Sequence, residues 1–200
     1  MPAKLIRGLN NITPAARGGV ITIGNFDGVH LGHQALIRQV IAEAKSRQVP
    51  SLAVTFEPHA FEFFGRENLT IPRLTRLREK FTALAECGLD NVIIIKFNQK
   101  LASISASDFV TKMLLEKLHP QYIFVGDDFR FGRDRQGDFA LLKQMGEVAR
   151  VAVQALPTVM VDGERVSSTR VRKALAEGNH RLAEKLLGHP YSMLGRVAHG

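Results

Sequence analysis

Ile23-Gly24-Asn25-Phe26-Asp27-Gly28-Val29-His30-Leu31-Gly32-His33 is the stretch that decides how this chain is read. The apolar run Val20 to Ile23 has the content of a buried strand, and Gly24 turns the chain at its end. Leu36, Val40, Ile41 and Ala44 then fall on one helical face, which predicts a helix over residues 34–47. His30 and His33 stand three residues apart where that helix begins, so both imidazoles point the same way. A helix start offers unpaired N–H groups and the positive end of the macrodipole. The combination makes a pocket for a nucleotide phosphate. An isolated His-x-x-His reads equally as two polar residues or two metal ligands. The strand before it, the Gly24 turn, Asp27 and Gly32 favour the phosphate.

Strand and helix signals alternate along the rest of the chain. Strands are predicted at 20–26, 51–56, 91–97, 122–125 and 150–156, with Pro58 closing the second. Helices are predicted at 75–87, from Ser105 to before Pro120, and at 139–148. Leu77, Phe81, Leu84 and Ala85 face inward on the first of these, and Gly88 suits its C′ position. Asp162-Gly163 marks a hairpin turn. Ser168 is the expected N-cap of a helix over 170–177, and Asn179 that of a last helix over 180–187. The alternation predicts an α/β, Rossmann-like, doubly wound and mainly parallel five-stranded sheet with helices on both faces. Ligands collect at the carboxyl ends of such strands. His30 and His33, Phe56 to His59, and Gly126 to Gly132 all follow strands and would converge there.

The chain has 200 residues, a formal charge of +8 and 45% hydrophobic residues, enough for one ample core. Its cations are spread out, in groups at Arg73-Arg76-Arg78-Lys80, Arg130-Arg133-Arg135 and Arg165-Arg170-Arg172-Lys173. The first group reads as a solvated helix face. The others adjoin the motifs and suit small phosphorylated ligands better than nucleic acid. No apolar run approaches the ~20 residues of a membrane helix. One cysteine, Cys87, forms no internal disulfide, which points to a cytoplasmic protein, and Cys87 reads as packing. A Walker phosphate loop and a Gly-x-Gly-x-x-Gly turn are both missing, and a Cys-x-x-Cys zinc site cannot be built.

Gly24 to His33 resembles the signature of the His-x-Gly-His nucleotidylyltransferase superfamily. Val166-Ser167-Ser168-Thr169-Arg170-Val171-Arg172 resembles its Ile-Ser-Ser-Thr-x-x-Arg motif, with Val at the first position. Thr55-Phe56-Glu57-Pro58-His59 and Val125-Gly126-Asp127-Asp128-Phe129-Arg130-Phe131-Gly132 are similar to segments of the prokaryotic bifunctional riboflavin kinase/FAD synthetases. Many of those enzymes have a second proline where this chain has Ala60. The resemblance runs from about Leu5 to Gly200. It implies transfer of AMP from ATP to the phosphate of FMN, giving FAD and pyrophosphate, with Mg²⁺ arriving on ATP.

A phosphate acceptor is already ionised near neutral pH and needs no strong base. It needs alignment with the α-phosphorus and positive charge where the transition state spreads negative charge. The resemblance assigns that task to His30, His33 and Arg172, with Arg172 on the β- and γ-phosphates. Asp27 would orient a histidine, accept a bond from a ligand, or sit in a turn. Gly24, Asn25, Phe26, Gly32, Ser167, Ser168 and Thr169 complete the expected ATP site. A flavin needs a flat apolar slot with a few polar groups. Phe56, Pro58, Phe129 and Phe131 offer the surface, and His59, Asp128 and Arg130 the polar atoms; the resemblance implies that Phe56-Glu57-Pro58-His59 and Asp128-Phe129 belong to this slot. No protein ligand for a metal is expected.

Residues 1–187 are expected to form the adenylyltransferase domain. Residues 188–200 would be a linker and the first strand of a truncated riboflavin kinase domain. The chain alone should therefore lack kinase activity. Two other readings stay open: an adenylyl- or cytidylyltransferase for another phosphate ester, and a basic nucleic-acid-binding domain without turnover.

Overall fold

The computed structural model describes residues 3–65 and 71–195. Six strands form one parallel sheet: β1 (Lys4–Arg7), β2 (Val20–Ile23), β3 (Ser51–Glu57), β4 (Asn91–Lys96), β5 (Tyr122–Gly126) and β6 (Ala152–Leu156). Their order is β1-β4-β3-β2-β5-β6. The fold class is as expected, but the sheet has six strands and not five. The missed strand, β1, is four residues long and buries only Ile6, so it carries too little apolar signal to be read from sequence.

Alternate residues of each strand point to opposite faces, and the core divides accordingly. Ile21, Ile23, Leu52, Val54, Ile93, Ile123 and Val125 share one face. Phe109, Val110, Leu114 and Leu118 cover it, from a helix that runs from α5 (Ala106–Asp108) through a π segment (Phe109–Leu115) into α6 (Glu116–Leu118). Leu142 of α7 (Phe139–Val148) joins them. On the other face Val20, Ala53, Val92, Ile94 and Phe124 meet Leu36, Ile37, Val40 and Ala44 of α1 (Leu31–Arg47) and Leu84 of α3 (Leu77–Glu86). Short helices α2 (Ala60–Phe64) and α4 (Gln99–Ala102) follow β3 and β4. Cys87 is half-buried against the α1–α3 cluster, and burial pushes its thiol pKa up, as packing requires.

β2 lies mid-sheet, with β3 on one side and β5 on the other. The chain winds from β2 outward through β3 to β4, then crosses back to β5. Strand order therefore reverses between β2 and β5, where the loops leaving their carboxyl ends diverge and open a crevice.

Beyond β6, a hairpin of β7 (Met160–Val161) and β8 (Glu164–Arg165) leads into α8 (Ser168–Ala176) and α9 (His180–Leu187). These pack around a separate apolar cluster of Leu74, Val166, Val171, Leu186 and Leu187. Gly188, at φ 79°, stops α9 in the left-handed region. The strand expected from Ser192 does not form over residues 192–195, and residues 196–200 lie outside the described residues. Among the described residues no helix is long and apolar enough to cross a membrane.

Candidate active site

The turn after β2 is built from backbone that side chains seldom adopt. Phe26, Gly28 and Val29 have φ of 49°, 80° and 38°. For a β-branched valine that region is strained. Phe26 and Val29 are 0% and 1% exposed in the cluster under α1, and their burial offsets the strain. A Cβ on Gly28 would approach Leu74 to 2.8 Å. The N–H of Gly24 and the carbonyl of Asn25 bond to the next strand, at Val54 O (3.0 Å) and the Thr55 hydroxyl (3.2 Å).

This turn delivers His30 to the N-cap of α1. Nδ1 of His30 accepts the backbone N–H of His33 at 3.4 Å. An accepting ring nitrogen bears no proton, so the proton of neutral His30 is on Nε2. The two rings stack, with centroids 3.7 Å apart and planes 15° apart. Phe26 meets the other side of His33 edge-on at 5.2 Å. A Cβ on Gly32 would stand 3.2 Å from the His30 ring, so glycine lets that ring lie against the helix.

Burial drives the His30 pKa down to about 4, opposed by its backbone hydrogen bond. Burial, and then the neighbouring His30, hold His33 well below the usual histidine range. Both rings are therefore neutral near pH 7. Two stacked, desolvated and neutral imidazoles offer N–H donors. Nδ1 of His33 and Oε2 of Glu57 are buried without a hydrogen-bond partner among the described residues. Oγ1 of Thr22, in β2, is likewise without one.

Asp27 is 2% exposed. It accepts the backbone N–H of Leu74 (3.2 Å), the N–H (3.0 Å) and hydroxyl (3.1 Å) of Thr75, and Nη2 of Arg172. That set occupies the lone pairs of a carboxylate. Asp27 so fastens Leu74, Thr75 and α8 to the β2 turn. Arg172 also donates from Nε to Pro72 O at 2.7 Å. Two of its nitrogens, Nε and Nη2, are thus engaged by the protein frame. Sequence reasoning missed these partners because they are about a hundred residues or more away in the chain.

Ser167, not Ser168, caps α8, its Oγ accepting the N–H of Arg170 at 3.2 Å. Ser168 instead donates to the carbonyl of Asp27 at 2.9 Å. Thr169 is exposed on the first turn. The Ser168 bond ties the start of α8 to the β2 turn that leads into α1.

The loops after β3 and β5 flank this turn. Phe56 packs against Phe97 (6.2 Å) and Phe109 (6.4 Å), and Phe109 leads on to Phe131 (5.4 Å) and Phe131 to Phe129 (5.4 Å). Phe131 is buried core, so it backs the slot without lining it. Phe97, just past β4, is an aromatic that the sequence reading did not select. Pro58, half-buried, follows a cis peptide bond. Glu57 is paired with Arg73 (2.8 Å), which also grips Glu62. Asp128 is paired with Arg165 (2.5 Å), and Arg130 with Asp138 (3.0 Å).

The group Arg73-Arg76-Arg78-Lys80 is not a solvated helix face. Arg76 and Arg78 are exposed, but Arg73 is tied to two glutamates and Lys80 is completely buried, its Nζ 2.9 Å from Nε2 of His59. A lysine on the apolar side of α3 breaks the pattern from which that face was read.

A family model described as FAD synthetase matches residues 12–170. Curated relatives include bifunctional riboflavin kinase/FMN adenylyltransferases of Escherichia coli (strain K12), 46% identical, and of Pseudomonas fluorescens, 50% identical. Both alignments cover 98% of this chain, which spans 63% of the length of those relatives. A crystal structure of a macrolide-efflux protein from Streptococcus pneumoniae superposes with a TM-score of 0.83 at 27% identity, over 94% of this chain and 63% of that one. From the matched motifs and their convergence at the β2–β5 crevice, the chain belongs to the FAD synthetase family.

Proposed function

We propose that this chain transfers the adenylyl group of MgATP to the phosphate of FMN, releasing pyrophosphate and forming FAD. The observation that carries this reading is the stacked His30–His33 pair at the α1 N-terminus, flanked by the aromatic loops after β3 and β5. An FMN phosphate oxygen attacks the α-phosphorus of ATP, a new P–O bond forms, and the bond to pyrophosphate breaks. Negative charge spreads over the oxygens of the α-phosphate as this happens. His30 through Nε2–H, and His33, donate hydrogen bonds to that charge. The N–H of Gly32 and the start of α8 at Ser168 and Thr169 cradle the triphosphate. Asp27, Asn25 and Gly24 hold the shape of the turn, and Arg172 has Nη1 to offer a phosphate. Mg²⁺ comes as part of the nucleotide substrate. Among the described residues no cluster of three or more His, Cys, Asp or Glu side chains is placed to hold a metal.

FMN binds across Phe56, Pro58 and Phe129, with Glu57, His59, Asp128 and Arg130 at its polar edges. The phosphorylation of riboflavin named for the relatives belongs to the part of them that this chain does not match. The end of α9 at Leu187 supports a limit of the adenylyltransferase domain there. A cytoplasmic location fits a single unpaired cysteine.

The test is incubation with ATP, Mg²⁺ and FMN, with FAD followed by chromatography beside a His33→Ala control. FAD should form, and the substitution should lower turnover about a hundredfold with a much smaller change in ATP affinity. Preference for a phosphate ester other than FMN, or steeply salt-dependent nucleic-acid binding without FAD formation, would replace this reading.

A further inference from the structure

Lys80 occupies a position on α3 that an apolar side chain would fill. It is 0% exposed and shares the inward side of the helix with Leu84. Its Nζ lies 2.9 Å from Nε2 of His59. His59 is itself 4% exposed, at the N-cap of α2 directly after Pro58. Burying a cation beside a neutral partner is costly, and a methionine of similar volume would avoid the cost.

The charged and titratable groups around Lys80 come from every neighbouring element. They are Asp27 from the β2 turn, Glu57 from β3, Glu62 from α2, Arg73 from the strand-to-helix connection, and His59 and His33 themselves. Asp27 is engaged by Arg172, and Glu62 and Oε1 of Glu57 by Arg73, which leaves Oε2 of Glu57 without a partner among the described residues. Among the described residues Lys80 has no salt-bridge partner, and its hydrogen bond goes to His59. An ammonium has three donors and no acceptor, so Nε2 of His59 must accept. The His59 proton is then on Nδ1, on the opposite flank of the ring.

Resting on the FMN adenylylation reading, we propose that Lys80 is a positioning residue for the flavin side of the reaction. Its ammonium fixes His59 as the Nδ1–H tautomer, locks the turn after β3 against α3, and sets a positive charge near His33 at neutral pH. His59 then presents an N–H donor to the acceptor nucleotide. The ammonium form is held at neutral pH: burial lowers the Lys80 pKa to about 8, opposed chiefly by Asp27 and Glu57. The same charge helps keep His59 and His33 unprotonated, after the larger effect of burial on each.

The experiment has two arms on this same chain. In the first, long-range ¹H–¹⁵N correlation spectra of the wild-type protein without substrates report the His59 tautomer near pH 7. Protonation at Nδ1 is expected, and a ring carrying its proton on Nε2 overturns the proposal whether or not FAD is formed. In the second, Lys80→Met and Lys80→Arg are compared for kcat and for KM toward FMN across pH. Lys80→Met should raise KM for FMN about tenfold, with a smaller change in kcat, and Lys80→Arg should recover part of the loss. The decline of wild-type kcat/KM above about pH 8 should be absent in Lys80→Met. A folded Lys80→Met chain with wild-type KM and pH profile overturns the proposal. If Lys80→Met does not fold, the arginine variant and the wild-type pH profile decide it. Absence of FAD with the expected tautomer counts against the adenylylation reading alone.

Discussion

Asp27 and Arg172 lie 145 residues apart in the chain and form an ion pair whose aspartate side chain is 3% exposed and whose arginine side chain is 20% exposed. The pair joins the β2 turn to α8 and, through Pro72 and Leu74, to the segment before α3. Three pieces of chain that meet at the crevice are thus fixed to one carboxylate.

Removing either partner should therefore act first on stability. Asp27→Asn and Arg172→Met should each cost about 3 kcal/mol, because each leaves a desolvated charge without its partner. Urea unfolding of the two single variants and the double variant measures this, with the double well short of additive. Additive losses would mean the pair is not coupled.

The histidine pair makes stability depend on pH with a definite sign. His30 has a folded pKa of about 4 against an ordinary value of 6.5. Above pH 6.5 both states are neutral and the contribution is complete. As pH falls, the unfolded chain takes up the proton first, and the contribution is lost between about pH 6.5 and pH 4. The full effect is roughly 3 kcal/mol. Unfolding free energies at several pH values should show this slope in the wild type and a shallower one in His30→Gln.

Triphosphate binding should reverse that suppression. An anion beside an imidazole stabilises its protonated form. ATP should therefore bind with proton uptake at about pH 6, read from calorimetry in two buffers of different ionisation enthalpy. Uptake should shrink in His30→Gln and His33→Gln.

Gly32 separates folding from catalysis. Gly32→Ala adds a favourable residue to the start of a helix, so thermal stability should change by less than about 1 kcal/mol. The new Cβ would stand 3.2 Å from the His30 ring and push it out of the stack. FAD formation should fall about tenfold or more, measured as kcat at saturating ATP and FMN.

The two serines should differ although they are adjacent. Ser167→Ala removes an N-cap and should cost about 1 kcal/mol. Ser168→Ala breaks the bond from α8 to the Asp27 carbonyl. Its effect should fall mainly on ATP affinity, because it loosens the two helix starts from one another. Equal effects of the two on ATP affinity would contradict this division.

The sequence by itself determined the parallel α/β frame, the strand–turn–helix around His30 and His33, and the order of the four motifs. These are local facts: apolar runs of strand length, glycine at a turn, and histidines three apart at a helix start. It placed Ser105, Asn179 and Gly88 correctly at helix ends, because caps act within a few residues. The tertiary structure alone decided what faces what. Asp27 became a structural hub because its partners arrive from residues 74, 75 and 172. Lys80 became a buried cation because His59 and the carboxylates around it come from other elements. The histidines became neutral because burial and stacking outweigh their intrinsic basicity, and burial depends on packing that no short window of sequence contains.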